Sequence, residues 1–253
     1  MSKRFEELAF HSTRMGDISL RRRFDPALGI EVYEAKLDDE FLMSSAFTTA
    51  EIALARLGLD RVIGADLDVV VGGLGLGYTA IAALEEPRVR TLTVIEALGE
   101  VIAWHRHALL PDAAGLANDN RVELRSADFF ACVQGAGFDP AVPGRRYHAV
   151  LLDIDHSPEH VLHPSHASFY SAQGLAGLRD LLHPDGVFGL WSDDPPEPVF
   201  TALLREVFAE VDAAVVSFPN PYTGGTSSNT VYVCVNGDEL RRPAAATSRT
   251  TGP

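Results

Sequence analysis

The chain has 253 residues, of which 46% are hydrophobic and 22% charged, enough for one sizeable α/β core. Its formal net charge of −14 opposes a nonspecific grip on nucleic acid, whose phosphates need a basic face, but it suits a cationic small molecule. No apolar run is long enough to span a bilayer and Met1-Ser-Lys-Arg-Phe-Glu-Glu7 has no signal-like character, so a cytoplasmic protein away from membranes is expected.

In chain order, Asp17–Arg21 and Gly29–Glu34 read as short strands joined through the turn-rich Asp25-Pro-Ala-Leu-Gly29, a small β-hairpin element within residues 1–44. Arg21-Arg22-Arg23 reads as a solvated strand stretch rather than a binding patch. Helical spacing of Phe47, Ala50, Ile52, Ala53, Leu54 and Leu57, closed by Gly58, predicts an entry helix over 45–58, which opens a main domain of residues 45–236. Five parallel strands follow at Leu67–Val71, Thr91–Ile95, Val122–Arg125, Ala149–Asp153 and Val187–Trp191. Helical patterns near 78–86, 98–109, 129–134 and 168–183 alternate with them. Such alternation gives a parallel sheet covered on both faces. After a helix at 197–209, Ala213–Phe218 and Thr230–Val235 predict a terminal antiparallel hairpin around a loop over Pro219–Asn229. The polar tail over 237–253 is expected to be disordered. Cys132 and Cys234 have neither metal nor redox spacing and read as buried small residues.

The densest signal is Asp68-Val-Val-Val-Gly-Gly-Leu-Gly-Leu-Gly-Tyr78, a buried strand running into a glycine loop. Glycines there let backbone approach a ligand, and an acid ending the next strand, Glu96, can grip both hydroxyls of a ribose. Gly73, Gly75 and Gly77 lack the spacing of a dinucleotide fingerprint, which favours S-adenosylmethionine or a close analogue over NAD. In open parallel sheets ligands bind beyond the carboxyl ends of the strands. Asp128 follows the third strand, where with Phe129 it would meet the adenine amino group and ring face, and Asp153 and Asp155 follow the fourth. His156, His160, His163 and His166 form a run that Pro158 and Pro164 interrupt, so no metal site is expected, and His156 alone is a candidate site residue. Asp193-Asp194-Pro195-Pro196 reads as a loop and helix start, and Trp191 as core.

Gly72-Gly73-Leu-Gly75, Val94-Ile-Glu96, Ala127-Asp128, the Tyr147–Pro158 segment with its strand-end acid, Phe169-Tyr170 and Asp38-Asp39-Glu40-Phe41 together resemble the spermidine synthase family of aminopropyltransferases. That family lies within the class I S-adenosylmethionine-dependent methyltransferase superfamily. The resemblance spans roughly residues 30–235. It implies a Rossmann-like, doubly wound, mostly parallel seven-stranded sheet with a C-terminal antiparallel hairpin and a small N-terminal β-element, decarboxylated S-adenosylmethionine as donor, a polyamine acceptor and a homodimer. By position, Asp153 takes the role of the acid that orients and deprotonates the attacking amine. The chain departs from the family in having His156 where a second acid is usual, and Leu42-Met43-Ser44 where Tyr-His-Glu is usual. These departures favour methyl transfer from S-adenosylmethionine to a small acceptor, a cationic amine among the candidates, with Asp153, Asp155 and His156 positioning it. Aminopropyl transfer is the alternative, and a catalytically degenerate nucleoside-binding protein a third.

Overall fold

The computed structural model describes residues 5–111 and 113–237. Strands β5 (Leu67–Gly72), β6 (Val89–Glu96), β7 (Val122–Ser126), β8 (Tyr147–Leu152), β9 (Leu182–Ser192), β10 (Glu210–Asn220) and β11 (Gly225–Val235) form one seven-stranded sheet in the order β10-β11-β9-β8-β5-β6-β7. Pairing is parallel from β9 through β7, while β11 runs antiparallel to both β9 and β10. The chain winds outward in opposite directions from β5 and β8, so the strand order reverses between them. Their ends are stitched together by Asp153 N–H donating to the Gly72 carbonyl at 2.8 Å. In doubly wound sheets that reversal opens a crevice for a ligand.

The central strands are buried on both faces, which is why they read as continuous apolar runs. Along β5, Val69 and Val71 pack into one cluster with Leu54 of α1 (Thr49–Asp60), Ala80 of α2 (Tyr78–Leu84), Val101 of α3 (Gly99–Arg106) and Leu116 of α4 (Ala113–Asn118). The intervening Val70 packs into a second cluster with Phe129 of α5 (Phe129–Gln134), Leu175 of α6 (Ala172–Asp180) and Leu204 of α7 (Pro198–Val207). The two-residue period of the strand thus divides the helices between the two faces. The fold is the class I methyltransferase-like α/β architecture with an additional N-terminal sheet.

That N-terminal element is larger than the expected hairpin: β1 (Phe5–Thr13), β2 (Gly16–Asp25), β3 (Ile30–Leu37) and β4 (Glu40–Ser44) form a four-stranded antiparallel meander. Ile18, Leu20, Ala35 and Leu37 join it to the main core, whereas Phe5, Phe10, Phe24 and Ile30 remain exposed. The three consecutive arginines lie on β2, where Arg22 pairs with Glu6 at 2.6 Å and Arg23 with Asp25 at 2.6 Å and Glu34 at 2.8 Å.

Two further differences affect the site. The expected helix over 168–183 is instead a 3-10 turn at Pro164–Ser168 followed by α6, capped by the Ser171 hydroxyl accepting from Gly174 N–H. The expected loop over 219–229 is largely strand, because β10 and β11 pair as far as Asn220 opposite Gly225. The tip of that long hairpin reaches the N-terminal sheet: Tyr222 OH donates to buried Asp25 at 2.6 Å, and its ring packs on Phe47 at 5.7 Å. The Tyr222 hydrogen bond and the Arg23 guanidinium hold the Asp25 carboxyl well below the usual range. Cys132 and Cys234 are free thiols, Cys234 fully buried. The disorder expected of the tail lies, from residue 238 on, outside the described residues.

Candidate functional site

A cavity of about 940 Å³ opens at the carboxyl ends of β5, β6 and β8. The N-terminal sheet, through Ile18, Leu37 and Leu42, and the terminal hairpin, through Phe218 and Asn229, both contribute to its walls. Its floor is the glycine loop. Gly73 (φ +91°) and Gly75 (φ +45°) both line the cavity in the left-handed region, where side chains strain the backbone. A Cβ on Gly73 would run into the Asp153 carbonyl, and one on Gly75 into the Met43 side chain. Gly77 (φ +93°) starts α2 and packs against His105 behind the loop, outside the main cavity.

Glu96 stands at the end of β6 and lines the cavity. Its Oε2 accepts from Leu74 N–H at 3.0 Å and its Oε1 from Leu98 N–H at 2.8 Å. Burial raises its pKa against the pull of these backbone donors. The two hydrogen bonds fix the plane of the carboxylate, and the Gly75 and Ala97 backbone N–H groups favour its charged form as well. Asp128 caps α5, taking Ala131 N–H at 3.0 Å, and lines the cavity beside Phe129. Phe129 packs against Gly72, where a Cβ would meet its ring, and sits in a cluster with Phe130, Phe138 and Phe169.

Asp153 is the strand-end acid at the reversal, and it faces the cavity. The buried Thr79 hydroxyl donates to its Oδ2 at 2.6 Å, while burial raises its pKa to about 6. Beside it stands Glu51, in the first turn of α1, raised to about 8 by burial and then by the charges of Asp153 and Asp193. Asp193, whose Oδ1 accepts from Asn229 Nδ2 at 2.6 Å, completes an acidic wall. Like charges brought together out of water cannot all ionise at little cost. The wall is thus complementary to a cation.

The structure divides the other candidates. Asp155 is buried and does not line the cavity. Its carboxylate takes Leu162 N–H, His166 Nδ1 and Tyr170 OH, each at 2.8 Å, which ties together the segment from 155 to 170. That makes it a positioning group rather than a group that meets substrate. Asp155→Ala is therefore expected to lower stability in chemical denaturation by about 3 kcal/mol, since removing one member of a buried set leaves the others unpaired. An unchanged midpoint with turnover abolished would put Asp155 on the substrate instead. His156 lines the cavity edge and pairs with Glu40 on β4 at 3.0 Å. His160 pairs with Asp194 at 3.1 Å and His166 stacks on Phe130 at 4.0 Å. Among the described residues no group of three or more His, Cys, Asp or Glu side chains is arranged to hold a metal ion. No described helix is long and apolar enough to cross a membrane.

Sequence reasoning missed Glu51, and it read Asp193 as an ordinary loop residue and Trp191 as core, whereas all three line the cavity. One signal was available for Glu51: it is the single charged residue between Phe41 and Ala55, where the apolar face of a helix was expected.

A glycine floor, a clamped acid ending β6 and a strand-end acid at the sheet reversal line one cavity of a class I methyltransferase-like fold. The chain is similar in sequence to polyamine aminopropyltransferases, and its fold is similar to that of spermidine synthases. It is 29% identical over 145 residues to a polyamine aminopropyltransferase of Bacillus mycoides and 28% to polyamine aminopropyltransferase 1 of Bacillus anthracis. Each alignment covers 55% of this chain and 48% of the relative, so the match spans about half the length of these relatives. Among solved structures, a spermidine synthase in complex with the transition state analogue AdoDATO superposes with a TM-score of 0.69 at 18% identity, covering 91% of this chain and 74% of the other. Spermidine synthase from Thermotoga maritima gives 0.68 at 17%, covering 91% and 73%. No protein-family model matches the chain.

Proposed function

We propose that the protein is an aminopropyltransferase, which moves the aminopropyl group of decarboxylated S-adenosylmethionine onto an amine. The observation that carries this reading is the wall of Asp153, Glu51 and Asp193 in the same cavity as Gly73, Gly75 and Glu96. Its relatives are aminopropyltransferases, which moves this reading ahead of methyl transfer.

The lining residues fit such a donor. The backbone of Gly73 and Gly75 lines the cavity where the nucleoside would lie, and Glu96 accepts the two ribose hydroxyls. Asp128 retains one oxygen for the adenine amino group, with Phe129 against the base. Asp153, Glu51 and Asp193 receive the acceptor as its ammonium ion. An amine attacks only as the free base, so one proton must leave the nitrogen for a carboxylate and then water. The nitrogen then forms a bond to the sulfonium-bound methylene carbon as the carbon–sulfur bond breaks. The electron pair stays on sulfur and methylthioadenosine is released. Holding both reactants in line supplies much of the acceleration.

The test is calorimetric titration with decarboxylated S-adenosylmethionine, S-adenosylmethionine and methylthioadenosine, followed by chromatography of products with putrescine and other primary amines. Preference for the decarboxylated form and release of methylthioadenosine with an aminopropylated amine are expected. A methylated product from S-adenosylmethionine, or no nucleoside affinity, would sink the reading.

Glu51→Gln provides a pH test. A carboxyl whose pKa rises from its ordinary 4.5 to about 8 on folding weakens the fold as pH climbs through that window. The variant should match wild type near pH 4.5 and exceed it by roughly 1 to 3 kcal/mol at pH 8 to 9, measured by denaturation. Amine affinity of the wild type should rise between about pH 6 and 8 as Asp153 and Glu51 ionise, and the rise should flatten in the variant.

A further inference from the structure

His105 on α3 is fully buried behind the glycine loop and has no part in the chemistry above. Its Nε2 lies 2.8 Å from the Gly75 carbonyl oxygen. A carbonyl can only accept, so Nε2 carries the proton and Nδ1 is left as a bare lone pair. That Nδ1 is buried and has no hydrogen-bond partner. Across the same peptide unit, Leu76 N–H donates to the Met43 sulfur at 3.0 Å from the cavity side.

The Gly75–Leu76 peptide is the middle of a tight turn closed by Gly77 N–H on the Leu74 carbonyl at 2.7 Å. Gly75 has positive φ and Leu76 does not, the signs of a type II′ turn. The soft motion of such a turn is a flip of its central peptide, which exchanges the directions of the carbonyl and the N–H. Here a flip would break both anchors and push Leu76 toward positive φ, which a Leu side chain resists. The preceding Leu74 N–H is the one that holds Glu96. The state of this peptide therefore propagates to the ribose acid.

We infer that His105 and Met43 are positioning residues that lock the Gly75–Leu76 peptide from its two ends and so keep the glycine loop and Glu96 in the shape that receives the donor nucleoside. The effect on donor binding rests on the function proposed above; the lock itself does not. His105→Leu should raise the donor KM and weaken methylthioadenosine binding about tenfold, in line with the loss of one buried hydrogen bond, with kcat at saturating donor little changed. His105→Gln, whose amide can donate from the position of Nε2, should restore affinity to within about threefold. Met43→Leu, close in volume but without the sulfur acceptor, should move affinity in the same direction as His105→Leu.

Two measurements judge the lock without any ligand. Nitrogen-15 spectra of the wild-type imidazoles should give His105 as the neutral Nε2–H tautomer, and amide exchange across residues 74–77 should quicken in His105→Leu while β5 and β8 keep their protection. An Nδ1–H tautomer, or unchanged loop exchange in a folded His105→Leu protein, overturns the inference. Absence of nucleoside binding in wild type overturns the proposed function instead, and the tautomer and exchange results still decide the lock.

Discussion

Asp153→Asn is expected to lower aminopropyl transfer by about 10² to 10⁴-fold, the range for loss of a positioned proton acceptor, while methylthioadenosine affinity changes little. The substitution keeps the volume of the side chain and its contact with Thr79, whose hydroxyl donates to Oδ2 at 2.6 Å. What it removes is the negative charge at the point where the ammonium is relieved of its proton. Asp153 does not stand alone: its charge, with that of Asp193, raises the Glu51 carboxyl in the same cavity. The double variant Asp153→Asn/Glu51→Gln should accordingly fall below the product of the two single effects or above it, not on it, since coupled groups in contact are not additive. Steady-state turnover with separately varied donor and amine checks both statements. Full activity in Asp153→Asn would remove the acid from the mechanism.

Glu96→Ala is expected to weaken methylthioadenosine binding about 10² to 10³-fold, because hydrogen bonds to a charged group contribute roughly 1.5 to 3 kcal/mol each and two ribose hydroxyls are at stake. The loss has a second component. Leu74 N–H and Leu98 N–H both donate to this carboxylate, so its removal also frees the loop below the nucleoside. Glu96→Gln separates the two: it can still accept from one backbone N–H and one hydroxyl, and should fall between wild type and Ala. Calorimetry on the three proteins decides. Affinity unchanged in Glu96→Ala would place the ribose elsewhere.

The parts of the site legible in the sequence are those built by local chain geometry. Gly73, Gly75 and Glu96 announce themselves because a strand, a glycine turn and the acid closing the next strand are consecutive along the chain, and parallel pairing of β5 with β6 brings them together. Glu51 was harder to place for the opposite reason. Its lone charge among apolar neighbours marked it as unusual, but its approach to Asp153 depends on how α1 lies across the sheet ends, a tertiary relation. Asp155 was misjudged because it lies two residues from Asp153, a spacing that shares one side in an extended strand. The chain leaves β8 at Leu152, and the second acid turns into the fold, where His166 and Tyr170 claim it. The alternation of apolar strands with helical patterns made the doubly wound sheet readable. The N-terminal meander was underestimated because its first strand, Phe5–Thr13, is largely exposed and has no clean apolar period.

The contact of Tyr222 with Asp25 and Phe47 joins parts of the chain nearly two hundred residues apart. Because part of the cavity wall comes from residues before Phe47 and part from Phe218 onward, the cavity is incomplete until the terminal hairpin has been made and docked. During synthesis on the ribosome the N-terminal sheet and the glycine loop would emerge well before the hairpin, and the cavity would stay open on that side until β11 is made. A nascent chain halted before β11 would lack one wall of the cavity, so binding of the proposed ligands would follow completion of that hairpin.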